Sequence, residues 1–502
     1  MESLSPIILT LVTFIPAAGG LLILLIPRRD RDIKLFALVI SILAFVASLH
    51  LPVHMHRELG TFKFEIDKVW ITTPNIHYHM GIDGISVWLV VLTTFLTPLC
   101  VLISWTSIHE RVKEFFILLL ILESALIGVF TSLDLFLFYF FYEATLIPMA
   151  LLIGMYGHGR KVYAAVKFFL FTMIGSMFML AAIIWLYAKT GSFDFAVIQN
   201  AIRSGSVPGF EAASFWLFLG FFVAFAVKVP IFPLHTWLPD AHVEAPTAGS
   251  VLLAGVLLKM GTYGLIRFNV GLFPEQARRN APWIMVLALI GIIYGALVSL
   301  VQPNMKKLIA YSSVSHLGFV VLGIFSFTTA GLNGAVFVML AHGVATGGLF
   351  MLAGILYERR HTYEISEFGG LATTMPKYAT FFLVTVLASV GLPLMSGFIG
   401  EFLVLTGAFQ AKPIYGILAA TGIIWSAGYL LWMYQRVFFG KVTHDVNLTL
   451  PDLNMREKVA LSPIAIAALV MGVAPLIWLS AIDPAVQAAL GLTQLASKVV
   501  GQ

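Results

Sequence analysis

The sequence predicts an all-α polytopic membrane protein. Of 502 residues, 59% are apolar and only 11% carry charge, far below the quarter usual in soluble domains. Apolar runs of about 20 residues, enough to cross a bilayer as a helix, recur from end to end. Two lysines are set deep inside such runs, Lys228 in AFAVKVPIF and Lys259 in VLLAGVLLKMGTYG. A charge at the middle of a spanning helix costs about 2.5–3.5 kcal/mol on insertion scales. Such residues persist where they are paired or hydrated, and usually where they work.

Taking ~20 residues per crossing gives about fourteen spans. They lie near 5–27, 33–51, 85–107, 115–131, 134–154, 163–187, 212–236, 245–267, 282–301, 305–326, 331–356, 377–408, 413–435 and 459–480, in one membrane domain over 1–502. The start, MESLSPIILTL, has no basic region or cleavage site ahead of its apolar run, so the first helix is expected to stay. Cys100 is the only cysteine, which excludes internal disulfides and iron–sulfur clusters held by this chain. The net charge of +5 does not signal nucleic-acid binding, because the basic residues cluster in short loops. With the amino terminus outside, Arg160, Lys161, Lys306, Lys307, Arg359 and Arg360 fall inside, among others. Fewer, such as Lys189, Arg203 and Arg279, fall outside. The bias puts both termini on the non-cytoplasmic side.

Two spans are expected to be broken. The seventh contains VKVPIFP, where Pro230 and Pro233 free backbone carbonyls beside Lys228. The twelfth contains SVGLPLMSGFIGEF (389–402), with Gly391, Pro393 and Gly397; a tilted or merely kinked helix is the alternative. The fourth to eighth and the ninth to thirteenth spans make two blocks of five, 113–268 and 282–440. An odd number of crossings inverts the second relative to the first. Each block has its broken helix in fourth place, the pattern of an inverted-repeat transporter.

Ionisable residues within the spans form a series: Glu143, Lys228, Lys259, His316, His342 and Glu401. Glu143 falls near the middle of the fifth span and Lys228 is its natural partner, either as a working pair or as a static bridge. Lys259 has no acid at matching depth in its own helix, which argues for a titrating or hydrated amine. His316 and His342 suit proton relay; the alternatives are haem ligation and neutral histidines bonded between helices. Lys167 is expected to pair with an acid at one end of the sixth span, and Glu123 to act as a structural partner in the fourth. A line of ionisable groups joined by water passes protons without a continuous pore. No phosphate loop, nucleophile triad or metal-ligand cluster is legible, which argues against a self-contained enzyme.

At these residues the sequence resembles a known family. HTWLPDAHVEAPTAGSVLLAGVLLKMGTYGLIRF (235–268) is similar to the signature of the antiporter-like membrane subunits of complex I, the proton-pumping NADH:quinone oxidoreductase. The likeness extends through FFYEATLIPM (140–149), QPNMKKLIAYSSVSHLGF (302–319) and GLPLMSGFIGEF (391–402). In that family the broken twelfth helix carries glutamate in the M-type (chain 4) subunit and lysine in the other two, so Glu401 favours the M type. The span count, and the lack of a long lateral helix after the last span, agree.

The resemblance implies that Glu143 and Lys228 are a coupling ion pair and Lys259 the central proton-holding lysine. It makes His316 and His342 the connecting histidines and Glu401 the exit residue, and it puts a family lysine at Lys167. It implies no cofactor in this chain, with NAD, FMN, iron–sulfur clusters and quinone in partner subunits. The expected partners are other membrane-arm subunits, including the L-type and N-type antiporter-like chains, and lipids, with no nucleic acid. The expected location is a bacterial plasma membrane, an organelle inner membrane being the alternative. A subunit of a multisubunit sodium/proton antiporter or of a membrane-bound hydrogenase shares the motifs, and a passive scaffold is the reading from a different class.

Overall fold

Buried backbone N–H and C=O groups in lipid must be satisfied within the segment, so the apolar runs become helices. The computed structural model describes residues 5–26, 29–55 and 62–500. Helices α1 (Ser5–Ile23) and α2 (Asp30–Val53) lead into an antiparallel hairpin, β1 (Lys63–Ile71) with β2 (Ile76–Ile82). Then come α3 (Ser86–Ile103), α4 (Val112–Thr131), α5 (Leu135–Ala144), α6 (Leu146–Tyr156), α7 (Lys161–Thr190), α8 (Phe195–Arg203) and α9 (Phe210–Lys228). The next run is α10 (Trp237–Glu244), α11 (Thr247–Leu252) and α12 (Leu258–Gly264), followed by α13 (Pro274–Leu300), α14 (Met305–Phe325) and α15 (Thr329–Arg360). The chain ends with α16 (Leu371–Thr374), α17 (Pro376–Val390), α18 (Ser396–Ala411), α19 (Pro413–Phe438), α20 (Met455–Val473) and α21 (Leu476–Val500).

Helix starts are marked by side chains that take up free N–H groups. Asp134 caps α5, Asp194 caps α8, Asn304 caps α14 and Thr328 caps α15. Asn454 and Glu457 form a reciprocal capping box at α20.

The protein is a polytopic helical membrane protein. Eleven of the described helices are long and apolar enough to cross a bilayer, or twelve if α20 and α21, bent by 65°, count as one. That is fewer than the fourteen the sequence predicts. The apolar stretch of α1 (Ile7–Ile23) and helix α17 each fall short of a full crossing. The twelfth run is not one kinked helix: Gly391, at φ +80°, ends α17 in a left-handed turn that glycine adopts without strain, and α18 restarts at Ser396. The last span also stops at Val473 rather than near 480, and the amphipathic α21 runs on from Leu476. The hairpin β1–β2 was not anticipated. Its first strand is mostly exposed and its second half-buried to buried, and it is the one paired sheet among the described residues.

Two features position the site. The seventh run breaks where expected, with α9 ending at Lys228 and residues 229–236 non-helical before α10. The eighth is not a regular helix: π-turns at Leu253–Leu257 and Leu265–Val270 flank α12, which carries Lys259. The spans around Lys259, His316 and His342 are also the most enclosed, 100%, 94% and 100% buried within the protein, whereas α2 is only 28% buried and faces outward. Lys259, His316 and His342 therefore sit on protein-enclosed helices rather than lipid-facing ones.

Candidate functional site

Lys259 is fully enclosed. Its Nζ donates to the carbonyl of Ala254, freed by the first π-turn, and lies 2.7 Å from His342 Nδ1. The ring of His342, on α15, stands 5.8 Å from that of His316 on α14. His316 Nδ1 in turn lies 2.8 Å from Glu401 Oε1, on α18 just past the second break. His316, His342, Ser389 and Glu401 line a cavity of 10 Å³, about the room one water needs. His342 Nε2 has no partner within the protein. Four of the six expected residues thus form one line across four helices. The cavity is far too small for a macrocycle, so haem ligation by the two histidines does not fit.

The other two are arranged differently from the expectation. Glu143 and Lys228 make no contact within 4.0 Å, and neither Lys228 Nζ nor Glu143 Oε1 has a hydrogen-bond partner. The Lys228 ammonium instead faces the rings of Tyr142 at 5.0 Å and Phe168 at 5.4 Å, the geometry of a cation on aromatic faces. Glu143 is nonetheless the charge acting on it. The physical reason is position: Lys228 ends α9 and is fully buried, while Glu143 is half-buried beside the irregular joint of α5 and α6 at Thr145. Close approach of α12 to the end of α9 is possible because residue 261 is glycine. A Cβ there would lie 2.9 Å from Phe225 O and 3.0 Å from Val229 N.

Lys167 does have an acid: its Nζ is 2.6 Å from Asp240 Oδ2, on α10 beyond the break rather than at an end of its own span. Glu123 is buried on α4 against α3. Both carboxylate oxygens are buried and unpaired, with Thr97 and Cys100 of α3 nearby.

Two residues that sequence reasoning passed over belong beside this line. Lys306, counted as a loop residue, is 1% exposed and donates from Nζ to Ala245 O at 2.6 Å and Val243 O at 3.3 Å. His242 is fully enclosed with both ring nitrogens unpaired. Their signal was present in the sequence: both lie within a few residues of apolar runs. Among the described residues no group of three or more His, Cys, Asp or Glu is placed to hold a metal ion.

On the hairpin, His79 Nδ1 of β2 lies 2.5 Å from Asp194 Oδ2, the cap of α8. Burial lowers the His79 pKa, but the hydrogen bond and charge of Asp194 outweigh it and raise it overall. Burial likewise pushes Asp194 up, and its bond to His79 more than reverses that. Deeper in, Arg267 Nη2 is 2.5 Å from Asp83 Oδ2, and its Nε donates to Tyr263 Oη at 3.2 Å.

Comparisons with known proteins show the family. Residues 132–425 match the family of NADH:quinone oxidoreductase/Mrp antiporter transmembrane proteins, and residues 22–129 the amino terminus of NADH-ubiquinone oxidoreductase chain 4. The chain is 44% identical over 494 residues to NADH-quinone oxidoreductase subunit M of Rhodobacter capsulatus, covering 95% of both. It is 44% identical over 474 residues to NADH-ubiquinone oxidoreductase chain 4 of Marchantia polymorpha, covering 94% of both. A chain of respiratory complex I from Thermus thermophilus with bound NADH superposes at TM-score 0.88 and 34% identity, covering 97% of this chain and 99% of that one. A chain of the Mrp complex from a Dietzia species shares the fold at TM-score 0.84, with 19% identity and coverage of 97% and 100%. Fold and site define an antiporter-like membrane subunit. The chain belongs to the family of NADH-quinone oxidoreductase subunit M, also called chain 4.

Proposed function

We propose that this chain moves protons across the membrane as a membrane-arm subunit of proton-translocating NADH:quinone oxidoreductase, using Glu143, Lys228, Lys259, His342, His316 and Glu401. The observation that carries the reading is the contact series from Lys259 through His342 and His316 to Glu401, enclosed on all sides. A proton on Lys259 has an acceptor in contact, and one water in the cavity suffices to join the two imidazoles. From His316 it reaches a carboxylate at the broken helix. Each step keeps heavy atoms fixed and shifts one proton along one hydrogen bond, as relay requires.

Glu143 and Lys228 act as the control. A unit charge about 10 Å away is worth about 1.7 kcal/mol at an effective dielectric of about 20, more than tenfold in proton affinity. Moving Glu143 onto or away from Lys228 therefore changes the hold of Lys259 on its proton. Lys167, bonded to Asp240, anchors the segment after the first break, and Glu123 is a supporting carboxylate. NAD, FMN, iron–sulfur clusters and quinone belong to partner subunits, and L-type and N-type chains are the neighbours within the membrane arm.

We further infer that 113–268 and 282–440 are inverted repeats, and that fourteen crossings result when α1 and the broken pair α17–α18 each count as one. Two matching backbone clips support this. Leu135 N donates to Phe193 O and Phe195 N to Leu133 O, at 2.8 and 2.9 Å; Met305 N donates to Tyr363 O and Ile365 N to Pro303 O, both at 2.8 Å. Each clip joins the start of one span to the turn after the next, with the same spacing in both blocks. Both termini are assigned to the non-cytoplasmic side of a bacterial plasma membrane.

The test is Lys259→Ala in the assembled complex. NADH-driven proton uptake into inverted membranes and coupled quinone reduction are expected to fall together while assembly on a native gel is unchanged. Wild-type pumping by that variant would end the proposal. Purification without NADH-oxidising subunits would instead favour a multisubunit cation/proton antiporter.

A further inference from the structure

We propose that His242 is a proton-transfer residue joining Lys259 to the loop at 157–160 by way of Lys306, an inference that rests on the proton-carrying reading above. Four observations point to it. His242 is fully enclosed, yet neither Nδ1 nor Nε2 has a hydrogen-bond partner. Each buried polar atom left unmade costs about 1–3 kcal/mol, and histidines that only hold helices together are bonded. The ring lies flat on Phe350, 4.5 Å between centroids and 8° between planes, which fixes its plane and leaves its polar edge free.

Its electrostatic neighbours are the two buried lysines, Lys306 and Lys259, and the ring of His342. Lys306 is held close by the two carbonyls that follow His242 in α10, those of Val243 and Ala245. Finally, the line continues outward. Glu244 is the carboxylate acting on Lys306, its backbone oxygen accepts from His158 N at 2.9 Å, and its side chain lies against Gly159. The loop containing His158 and Gly159 sits at the end of the spans, where water has access.

The transfer balances without any other reactant. The Lys306 ammonium gives a proton, directly or through one water, to the free nitrogen of neutral His242. The imidazolium releases the proton of its other nitrogen toward the Lys259 amine, leaving the opposite tautomer. Lys306 is reprotonated from the loop side past Glu244. A proton exchange between the two tautomers, or a ring flip, restores His242 for the next transfer. An ammonium has no acceptor, so a proton passing from one lysine to the other needs a group that both accepts and donates, which the imidazole of His242 supplies.

The test uses the whole complex in native membranes. His242→Phe keeps the stack on Phe350 and removes both nitrogens. The variant complex is expected to assemble on a native gel, to lose most of its proton translocation and coupled turnover, and to show a larger solvent deuterium isotope effect on the residual turnover. A purely structural residue would not move the isotope effect. His242→Gln, which retains a donor and an acceptor but cannot relay by tautomers, is expected to behave the same way and covers the case where the phenylalanine variant fails to assemble. Wild-type translocation with an unchanged isotope effect in either assembled variant overturns the proposal. Lys259→Ala, run alongside, separates the two readings: if it too pumps normally the proton-carrying reading fails, and if it is impaired while the His242 variants are not, only this branch fails.

Discussion

Lys259 and His342, 83 residues apart in sequence, touch at 2.7 Å in a part of the protein where both side chains are shut off from solvent and lipid. Among the described residues each is the other's one side-chain hydrogen-bond partner, and His342 also stands beside the ring of His316. Removing the histidine leaves the lysine with one backbone carbonyl and no route onward. His342→Ala is expected to lower NADH-driven proton translocation by about a hundredfold or more while the complex still assembles. Dye-monitored acidification of inverted membranes, normalised to complex content on a native gel, checks it. Normal acidification would mean that the contact is packing alone.

Arg267 and Asp83 form a buried pair with little solvent to share. Arg267→Met alone strands the Asp83 carboxylate, and breaking such a pair costs about 3–5 kcal/mol. Asp83→Asn in the same chain removes the stranded charge. The single variant is expected to unfold at a lower temperature than the double variant. Thermal melting of the purified complex, followed on the bands of this subunit, decides between them.

The His79–Asp194 contact makes the hairpin sensitive to pH. Since the folded-state pKa of His79 is raised, its share of the stability is complete below its ordinary value of about 6.5 and is lost as pH climbs through the raised value. The pKa of Asp194 is depressed, so its share is present above about 4 and is lost as pH falls through the lowered value. Protection of the amides of 76–82 from hydrogen exchange, corrected for intrinsic rates, is expected to be greatest near pH 5–6 and to decline on the alkaline side. Asp194→Asn is expected to flatten that profile; an unchanged profile would assign the protection to the strand pairing alone.

Gly261 sets the distance between α12 and α9. Valine there would bring side-chain atoms within van der Waals overlap of the backbone at Phe225 and Val229, and overpacking of this kind costs about 1–3 kcal/mol. Because α9 ends at Lys228, the strain falls on the control pair. Gly261→Val is expected to reduce coupled turnover more than it reduces assembled complex, measured as activity per unit of complex on the gel.

Much of this was legible in the residues, and the failures have physical causes. Apolar runs and two broken helices follow from composition and from Pro and Gly placement, because lipid forbids the alternatives, and the ionisable groups stand out against the apolar runs that hold them. Contacts between helices do not follow: depth along a span says nothing about rotation around it. Depth alone therefore pairs Lys228 with Glu143, whereas the folded chain sets its ammonium against Tyr142 and Phe168. A charge beside a polar turn reads as a loop residue, yet the carbonyls of Val243 and Ala245 make burial of Lys306 tolerable. The hairpin at 63–82 gave only a weak alternation, easily lost between two strong apolar signals.

The two π-turns around Lys259 bear on how this subunit can vary. Each holds one residue more than an ordinary turn, and one residue turns a helix by about 100°. Deleting a single residue from 253–257 would swing the amine toward a different neighbour without altering hydropathy at all. The length of this segment, and not its chemical character, is thus the property with no slack. Selection on it would show as an absence of insertions and deletions rather than as a preference for particular side chains.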